Sequence, residues 1–361
     1  MFERRLYFHV DWALLAALLA LAMLGLAQIY SATGGPTRIY VTQIYGILLG
    51  LVAMILCLTI DYRTLVDKSH FIYGGVLVLL VYVLFFGAVR GGSRRWIDLG
   101  PVNLQPSEFA KAALALVLAK FFADVRRGGL TRSDVVVVAA LTAVPALIIA
   151  RQPDLGTAVT LLPIGMAAAF VAGMPLRTIG ILALAGLLIT PIAWKFGLKD
   201  YQRERISTFL DPSQDAKGAG YQQIQARITV GSGGLWGKGF QKGTQGQLRF
   251  LPVAHNDFIF SVLAEERGFA GVLVALGLYL FVIVRSLESA ALAKDRLGSF
   301  LVLGVLASFA FQVVYNITMS AGLAPVKGLT LPLMSYGGSS MIATLAAFGL
   351  ILNVRMRRFT N

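Results

Sequence analysis

Cysteine and histidine are scarce in this sequence, and their scarcity excludes several kinds of site. Cys57 is the only cysteine among 361 residues, and it lies inside an apolar run. A disulfide framework and a cysteine metal site are therefore excluded. The three histidines, His9, His70 and His255, are far apart in the sequence, so a histidine metal cluster is not expected either.

Charged residues are also few. They make up 14% of the chain, whereas hydrophobic residues make up 57%, and the mean hydropathy is +0.73. A single soluble core would not need so many apolar residues. This composition is typical of a polytopic membrane protein.

The charge that is present is mostly positive, with a formal net charge of +14. The basic residues lie in short connections between apolar runs and do not form one basic domain. We therefore expect a membrane surface or an anionic lipid headgroup as the partner, and no nucleic acid.

Ten apolar stretches are long enough to cross the roughly 30 Å hydrocarbon core of a bilayer. They predict an all-α membrane protein of about ten transmembrane helices, forming a single membrane domain over residues 1–361. The predicted spans lie near residues 12–31, 40–60, 71–88, 106–123, 135–150, 157–173, 179–197, 258–285, 298–319 and 335–354.

The distribution of basic residues predicts the orientation. With the N-terminus inside, thirteen Lys and Arg residues fall in cytoplasmic segments and six in the short outer loops. The positive-inside rule then places both termini in the cytoplasm. Residues 198–257, between helices 7 and 8, become one large extracytoplasmic loop.

This large loop is too long to be an ordinary connection, so it is either functional or disordered. Tyr221, Ile224 and Ile228 recur at helical spacing, as in an interfacial helix. The stretch GSGGLWGKG, residues 231–239, has two interpretations: its glycines let backbone amides approach a bound group, or it is a flexible turn.

Several ionisable residues lie within or beside the predicted spans, where they are costly and often functional. In QPSEFAK, Glu108 and Lys111 are three residues apart on a helix, which predicts an ion pair that fixes packing or controls the geometry of a site. In RQPDLGT, Asp154 follows Pro153 and is either a helix cap or a site carboxylate.

A further group of polar residues surrounds the start of the eighth span. Asp257, Ser261 and Glu265 are spaced so that they would form one polar stripe along a helix that starts at Asp257. The alternative is that Asp257 merely caps this helix.

Longer motifs resemble one family. The stretch NITMSAGLAPVKGLTLPLMSYGGSS, residues 316–340, resembles the C-terminal signature of the SEDS family (shape, elongation, division and sporulation). FLPVAHNDFIFSVLAEERG, QPSEFAK, RRWIDLG and QPDLGT resemble other family blocks. The short tails resemble the elongation member, while KGLTLPLMSYGGSS also resembles the division member.

The resemblance implies a peptidoglycan glycosyltransferase that polymerises lipid II on the outer face of the bacterial cytoplasmic membrane, together with a class B penicillin-binding protein. It implies that Asp257 is the catalytic aspartate and that Glu108 and Lys111 are the family's intramembrane pair. Two positions depart from the family pattern, Val253 and Asn256, and no role is assigned to either.

The reaction needs a base and a cation. Asp257 can accept the proton of the attacking hydroxyl. The charge on the leaving pyrophosphate must be stabilised by basic side chains or by a divalent cation such as Mg²⁺ or Mn²⁺, and no organic cofactor is expected. The candidate basic side chains are Arg94, Arg95, Arg205, Lys238 and Arg249, and the alternative for each of them is an anchor to the leaflet. The secondary site candidates are Asp154, Glu265 and Ser335.

Two other functions remain open. In a lipid II flippase, Glu108, Lys111, Glu265 and Arg267 would line a pathway for the headgroup, although the sequence lacks an evident internal repeat. A non-catalytic scaffold for wall synthesis would explain the spans but not Asp257.

Overall fold

A computed structural model describes residues 9–90, 93–98, 100, 103–125, 130–175, 177–178, 180–181, 184, 188, 203, 207–215, 218–248 and 250–359. Its α-helices are α1 (Trp12–Thr33), α2 (Arg38–Thr59), α3 (Tyr62–Asp67), α4 (Ser69–Phe86), α5 (Pro106–Asp124), α6 (Arg132–Arg151), α7 (Leu155–Thr160), α8 (Leu162–Val171), α9 (Ala219–Ser232), α10 (Thr244–Gln247), α11 (Ile259–Ala291), α12 (Arg296–Ser320) and α13 (Gly338–Met356). Single 3₁₀ turns cover Pro212–Gln214 and Arg357–Phe359.

The prediction of a mainly helical membrane protein is confirmed. Within the described residues, seven helices are long and apolar enough to cross a membrane: α1, α2, α4, α6, α11, α12 and α13. Helix α5 is long enough but carries four charged residues, Glu108, Lys111, Lys120 and Asp124. The predicted span 179–197 falls almost entirely outside the described residues.

The sixth predicted span, 157–173, is not one continuous helix. It is divided into α7 and α8 at Leu161. Pro163 lies at the start of α8 and has no backbone N–H to donate to the preceding turn. The hydrophobic pattern alone did not reveal this interruption.

Polar side chains at the helix starts define where several spans begin. The carboxylate of Asp11 accepts a hydrogen bond from the N–H of Leu14 (3.1 Å), and Thr37 caps α2 in the same way. Thr131 and Asp134 form a reciprocal capping box at the start of α6. These caps satisfy backbone donors that the first turn leaves free.

Helices α12 and α13 lie at the centre of the bundle. Helix α13 packs along α2, and α12 packs along α5 and α11. The backbones of α2 and α13 approach closely at Gly349, where an added Cβ would lie 2.7 Å from the carbonyl oxygen of Met54. By contrast, α2, α4, α6 and α11 expose many apolar side chains, as expected for helices that face lipid.

The sequence did not predict three short strands between α4 and α5. They are β1 (Ala88–Arg90), β2 (Ser93–Asp98) and β3 (Asn103–Leu104), which pair antiparallel in that order. This small sheet carries Arg94 and Arg95 on β2 and leads directly into the start of α5.

Candidate active site

A cleft of about 220 Å³ opens beside Asp257. Its walls come from β2, the start of α5, α7, the turn before α11, the middle of α12 and the segment that leads into α13. The charged and amide side chains in its lining are Arg95, Gln105, Glu108, Asp154, Asn256, Asp257 and Gln312. The fold therefore brings together four candidates that are far apart in the sequence: Arg95, Glu108, Asp154 and Asp257.

Asp257 lies in a turn and not at the start of a helix. Residues 252–258 form consecutive turns, and α11 begins at Ile259 with Phe258 as its N-cap. No side chain caps this helix start. The expectation that α11 begins at Asp257 was therefore wrong, and Asp257 is not the helix cap, because the chain is still turning at this position.

The backbone of this turn is held by the C-terminal signature. The amide of Asn316 on α12 donates to the carbonyl of Asp257 (2.9 Å) and to that of Leu329 (2.6 Å). The hydroxyl of Ser335 donates to the carbonyl of Asn256 (2.6 Å) and accepts from the N–H of Leu331 (2.8 Å). The buried side chains of Asn316 and Ser335 thus both connect residues 256–257 to residues 329–331.

Two further contacts complete this attachment. The N–H of Tyr336 donates to the carbonyl of His255 (3.0 Å). Gly328 has a φ of +66°, and a Cβ there would lie 3.6 Å from Oδ2 of Asp257. The carbonyls of three consecutive residues, 255–257, are therefore held by α12 and by the segment that leads into α13, which gives Asp257 a defined place in the cleft.

Asp154 caps α7 and also forms an ion pair. Its carboxylate accepts hydrogen bonds from the N–H (3.1 Å) and the hydroxyl (3.0 Å) of Thr157. It also accepts from the amide of Gln105 (3.0 Å) and pairs with Arg95 (3.1 Å). The capping interpretation of Asp154 is therefore confirmed, and the same residue also lines the cleft.

Glu108 and Lys111 form the expected ion pair on α5, with 2.9 Å between Nζ and Oε2. The ammonium group of Lys111 also donates to the side-chain carbonyl of Gln312 on α12 (2.9 Å). The pair therefore links α5 to α12 below the cleft, and Glu108 and Gln312 both reach the cleft lining.

Glu265 and Lys238 belong to a different cluster. Nζ of Lys238 lies 2.6 Å from Oε1 of Glu265, which also accepts from the hydroxyl of Thr244 (3.2 Å) and the N–H of Gln245 (3.1 Å). Neither Lys238 nor Glu265 lines the cleft of Asp257. The predicted polar stripe from Asp257 to Glu265 therefore leads away from that cleft, into a contact between α11 and the glycine-rich loop.

The glycine-rich loop packs against protein backbone. The N–H groups of Lys238 and Gly239 donate to the carbonyls of Glu265 (2.9 Å) and Glu266 (3.0 Å). A Cβ at Gly233 would overlap the carbonyl of Ala264. These amides do not face a ligand, because they compensate for a break in α11 at Gly268, where φ is +64° and ψ −166°.

Two adjacent arginines on β2 have different surroundings, because successive side chains of a strand point to opposite faces. Arg95 turns into the cleft, whereas the exposed Arg94 donates to the carbonyl of Phe85 (3.1 Å). The other two basic candidates, Arg205 and Arg249, lie outside the described residues. Among the described basic candidates, Arg95 alone lines the cleft.

The comparisons with known proteins agree with this fold. The sequence pattern of the FtsW/RodA/SpoVE cell cycle proteins matches residues 5–359. The chain belongs to the FtsW/RodA/SpoVE family. This is the SEDS family that the sequence motifs resembled, so that prediction is confirmed.

Three relatives cover nearly the whole chain. Peptidoglycan glycosyltransferase MrdB of Escherichia coli (strain K12) is 41% identical over 351 residues, which are 97% of this chain and 94% of that protein. A chain from a peptidoglycan synthase complex, solved to show the structural coordination of polymerization and crosslinking, superposes with a TM-score of 0.86 at 36% identity and covers 98% and 99% of the two chains. RodA, the rod shape determining protein of Thermus thermophilus, superposes with a TM-score of 0.73 at 33% identity and 98% coverage of both chains.

The family signature is explained by its contacts. Asn316 and Ser335, which the sequence offered only as motif positions and a secondary candidate, hold the turn that carries Asp257. Gln105 and Gln312 were missed altogether. A polar residue in the middle of an apolar span, such as Asn316 or Gln312, is a signal that could have found two of these residues from sequence alone.

His255 belongs to the turn that carries Asp257. Its ring meets that of Tyr336 edge-on, with 5.7 Å between the centroids. Burial lowers the pKa of His255, because the charged imidazolium would lose its hydration. Burial of the ring therefore favours the neutral imidazole.

Proposed function

We propose that this peptidoglycan glycosyltransferase polymerises lipid II, with Asp257 as the general base. The observation that carries the proposal is that Asp257 and Arg95 line the same cleft. A base and a cation at one site are what the joining of two lipid-linked sugars requires. The agreement with relatives named peptidoglycan glycosyltransferase supports the same conclusion.

In the proposed reaction, the 4-hydroxyl of one N-acetylglucosamine attacks the anomeric carbon of a neighbouring N-acetylmuramic acid. The new C–O bond forms as the bond to the lipid pyrophosphate breaks, and Asp257 takes the hydroxyl proton. A positioned base contributes about 10² to 10⁴ in rate. The fixed carbonyls of residues 255–257 support this role, because they hold the base in one place.

Arg95 is the proposed partner of the leaving pyrophosphate. Its ion pair with Asp154 orients the guanidinium at the cleft wall, and Asp154 is itself fixed by Thr157 and Gln105. A planar guanidinium suits phosphate oxygens because it presents paired N–H donors. Arg205 and Arg249 remain candidates for stabilising the negative charge of the same pyrophosphate.

A divalent cation is a further proposal. No group of three or more His, Cys, Asp or Glu side chains in the described part of the chain could hold a metal ion by itself. Mg²⁺ ordinarily binds one or two protein carboxylates together with substrate phosphates and waters. Asp257 would supply such a carboxylate, and the ion would neutralise charge on the pyrophosphate.

The proposal extends to orientation and partner. Both termini would be cytoplasmic and residues 198–257 would face outward, as the distribution of basic residues predicts.

The likeness to a chain of a peptidoglycan synthase complex supports cooperation with a class B penicillin-binding protein. The identity to MrdB and the structural likeness to RodA favour the elongation role over the division role.

The flippase alternative loses support from the arrangement of the charged groups. Glu108 lines the cleft and pairs with Lys111, whereas Glu265 pairs with Lys238 beside the glycine-rich loop, and Arg267 lies over the ring of Phe240 at 5.6 Å. In the part of the chain that the structure describes, these four groups do not line one common pathway.

Reconstitution in vesicles that contain lipid II tests the proposal. With the purified protein, alone and with its transpeptidase partner, we expect glycan polymer, and more of it in the complex. Headgroup translocation without polymer in either preparation would instead establish the flippase. If neither headgroup translocation nor polymer is observed, the non-catalytic scaffold is the remaining function.

A further inference from the structure

The glycine-rich loop ends in two apolar side chains that point away from the protein. Trp236 is 82% exposed and Leu235 is 68% exposed, although Gly233 and Gly237 on either side of them pack tightly on α11. Exposed tryptophans of this extent are unusual in water, because the ring is large and mostly apolar.

Hydrogen bonds hold the loop at a defined position along the axis of α11. The N–H of Phe269 donates to the carbonyl of Gly234 (2.9 Å), and the N–H of Ala270 donates to that of Leu235 (3.0 Å). On the other side of the tip, Gly239 bonds to the carbonyl of Glu266 (3.0 Å). Trp236 is therefore level with residues 266–270 of α11.

Contacts with α1 give an independent measure of the position of the loop along the membrane normal. The hydroxyl of Ser31 donates to the carboxylate of Glu266, and the amide of Gln247 donates to the carbonyl of Ser31 (3.3 Å). Ser31 lies in the last turn of α1, which ends at Thr33. Trp236 is thus near the level at which α1 leaves the membrane.

Counting from the other end of α11 gives the same level. The stretch 270–291 is about 32 Å long at 1.5 Å per residue, which matches a hydrocarbon core of about 30 Å. The turns of α11 before residue 270 therefore project beyond the core. Both measures place the loop tip at the boundary between hydrocarbon and headgroups.

We propose that Leu235 and Trp236 insert into the lipid leaflet beside α11 and anchor the glycine-rich loop there. Tryptophan prefers this boundary because its ring is apolar and its indole N–H is polar. The anchor continues the lipid-facing surface of α11, where Phe269 and Leu273 are exposed, and an exposed Lys242 lies close by for anionic headgroups.

The helix before the loop extends this surface. On α9 the buried side is made of Gly220, Gln223, Ala226 and Thr229, whereas Ile224 and Ile228 are exposed. A helix that buries small and polar residues and exposes isoleucines is suited to contact with lipid. The occupant of this surface is therefore phospholipid, in the outer leaflet under the proposed orientation.

Fluorescence quenching tests the anchor without any measurement of polymerase activity. Trp12, Trp96 and Trp194 are replaced by Phe, so that Trp236 is the only tryptophan, and the protein is reconstituted with lipids brominated near the glycerol or near the methyl end. We expect lipids brominated near the glycerol to quench most of the emission, and aqueous iodide to quench little. The matched control keeps only Trp96, which lines the aqueous cleft and should show the opposite pattern.

Strong quenching of Trp236 by iodide and none by brominated lipid would overturn the anchor and identify a water-facing patch for a protein partner. A spin label at position 236, introduced as Trp236→Cys in a Cys57→Ala background, avoids the three Phe replacements. Greater access to oxygen than to a water-soluble nickel complex supports the anchor. The reverse order overturns it.

Discussion

The carboxylates of this protein owe their different roles to their immediate partners. Asp154 is committed to Arg95 and the start of α7, Glu108 to Lys111, and Glu265 to Lys238. Asp257 is also held through its backbone, because its carbonyl accepts a hydrogen bond from Asn316, and it lines the cleft. A base must keep its place and still exchange a proton, and attachment through the backbone meets both needs.

Ser335 should therefore act as a positioning residue. Ser335→Ala leaves the buried carbonyl of Asn256 and the N–H of Leu331 without their shared partner, which costs about 1–3 kcal/mol. Because Ser335 does not line the cleft, we expect kcat for lipid II to fall about tenfold, the equivalent of roughly 1.4 kcal/mol, with little change in KM.

The control for this change is Ser261→Ala. Ser261 is also buried and lies close to the turn, but its hydroxyl has no hydrogen-bond partner in the described structure. The Ser261→Ala protein should keep its polymerase activity. The Ser335→Thr protein should lose less activity than Ser335→Ala, because its hydroxyl remains. An unchanged kcat in Ser335→Ala, or a loss confined to KM, would rule out the positioning role.

At the scale of elements, hydropathy predicted most of the fold because crossing a bilayer demands length and apolar composition, which are local properties. The start of α5 at Pro106 was predicted for a different local reason, since proline and Glu108 both suit the first turn of a helix. The division at Leu161 and the short strands were missed, because each depends on one proline or on pairing between loops.

The candidate site was less predictable than the spans. The sequence could nominate Arg94 and Arg95, but only the strand shows that they point to opposite faces. It could nominate Lys238, but the pairing with Glu265 arises because the glycine-rich loop packs on a break in α11 that lies about 30 residues away in sequence. Contacts between segments that are far apart in the sequence produce no periodic pattern of residues from which they could be predicted.

For the whole molecule, the orientation can be tested with single cysteines in a Cys57→Ala background. Ser213→Cys is exposed in the large loop, and Lys294→Cys is exposed between α11 and α12. An impermeant thiol reagent should label the first and spare the second on intact cells. Permeabilised cells, in which both should react, are the control, and labelling of position 294 alone on intact cells would invert the topology.

The central claim is that the fold assembles one cleft around a catalytic carboxylate at Asp257. Asp257→Asn keeps the shape of the side chain and leaves the backbone bond to Asn316 in place, so folding and membrane insertion should be preserved. Because no side chain caps α11, Asp257→Ala should also fold, with little additional loss of stability.

The most direct measurement is the rate of lipid II polymerisation by the parent, Asp257→Asn and Asp257→Ala proteins at equal amounts in the same vesicles. Both variants should lose about 10² to 10⁴ in rate, since an amide or a methyl group is a poor base. Long glycan strands made by Asp257→Asn at the parent rate would contradict the account, and the base would then have to be sought at Asp154 or Glu108 in the same cleft.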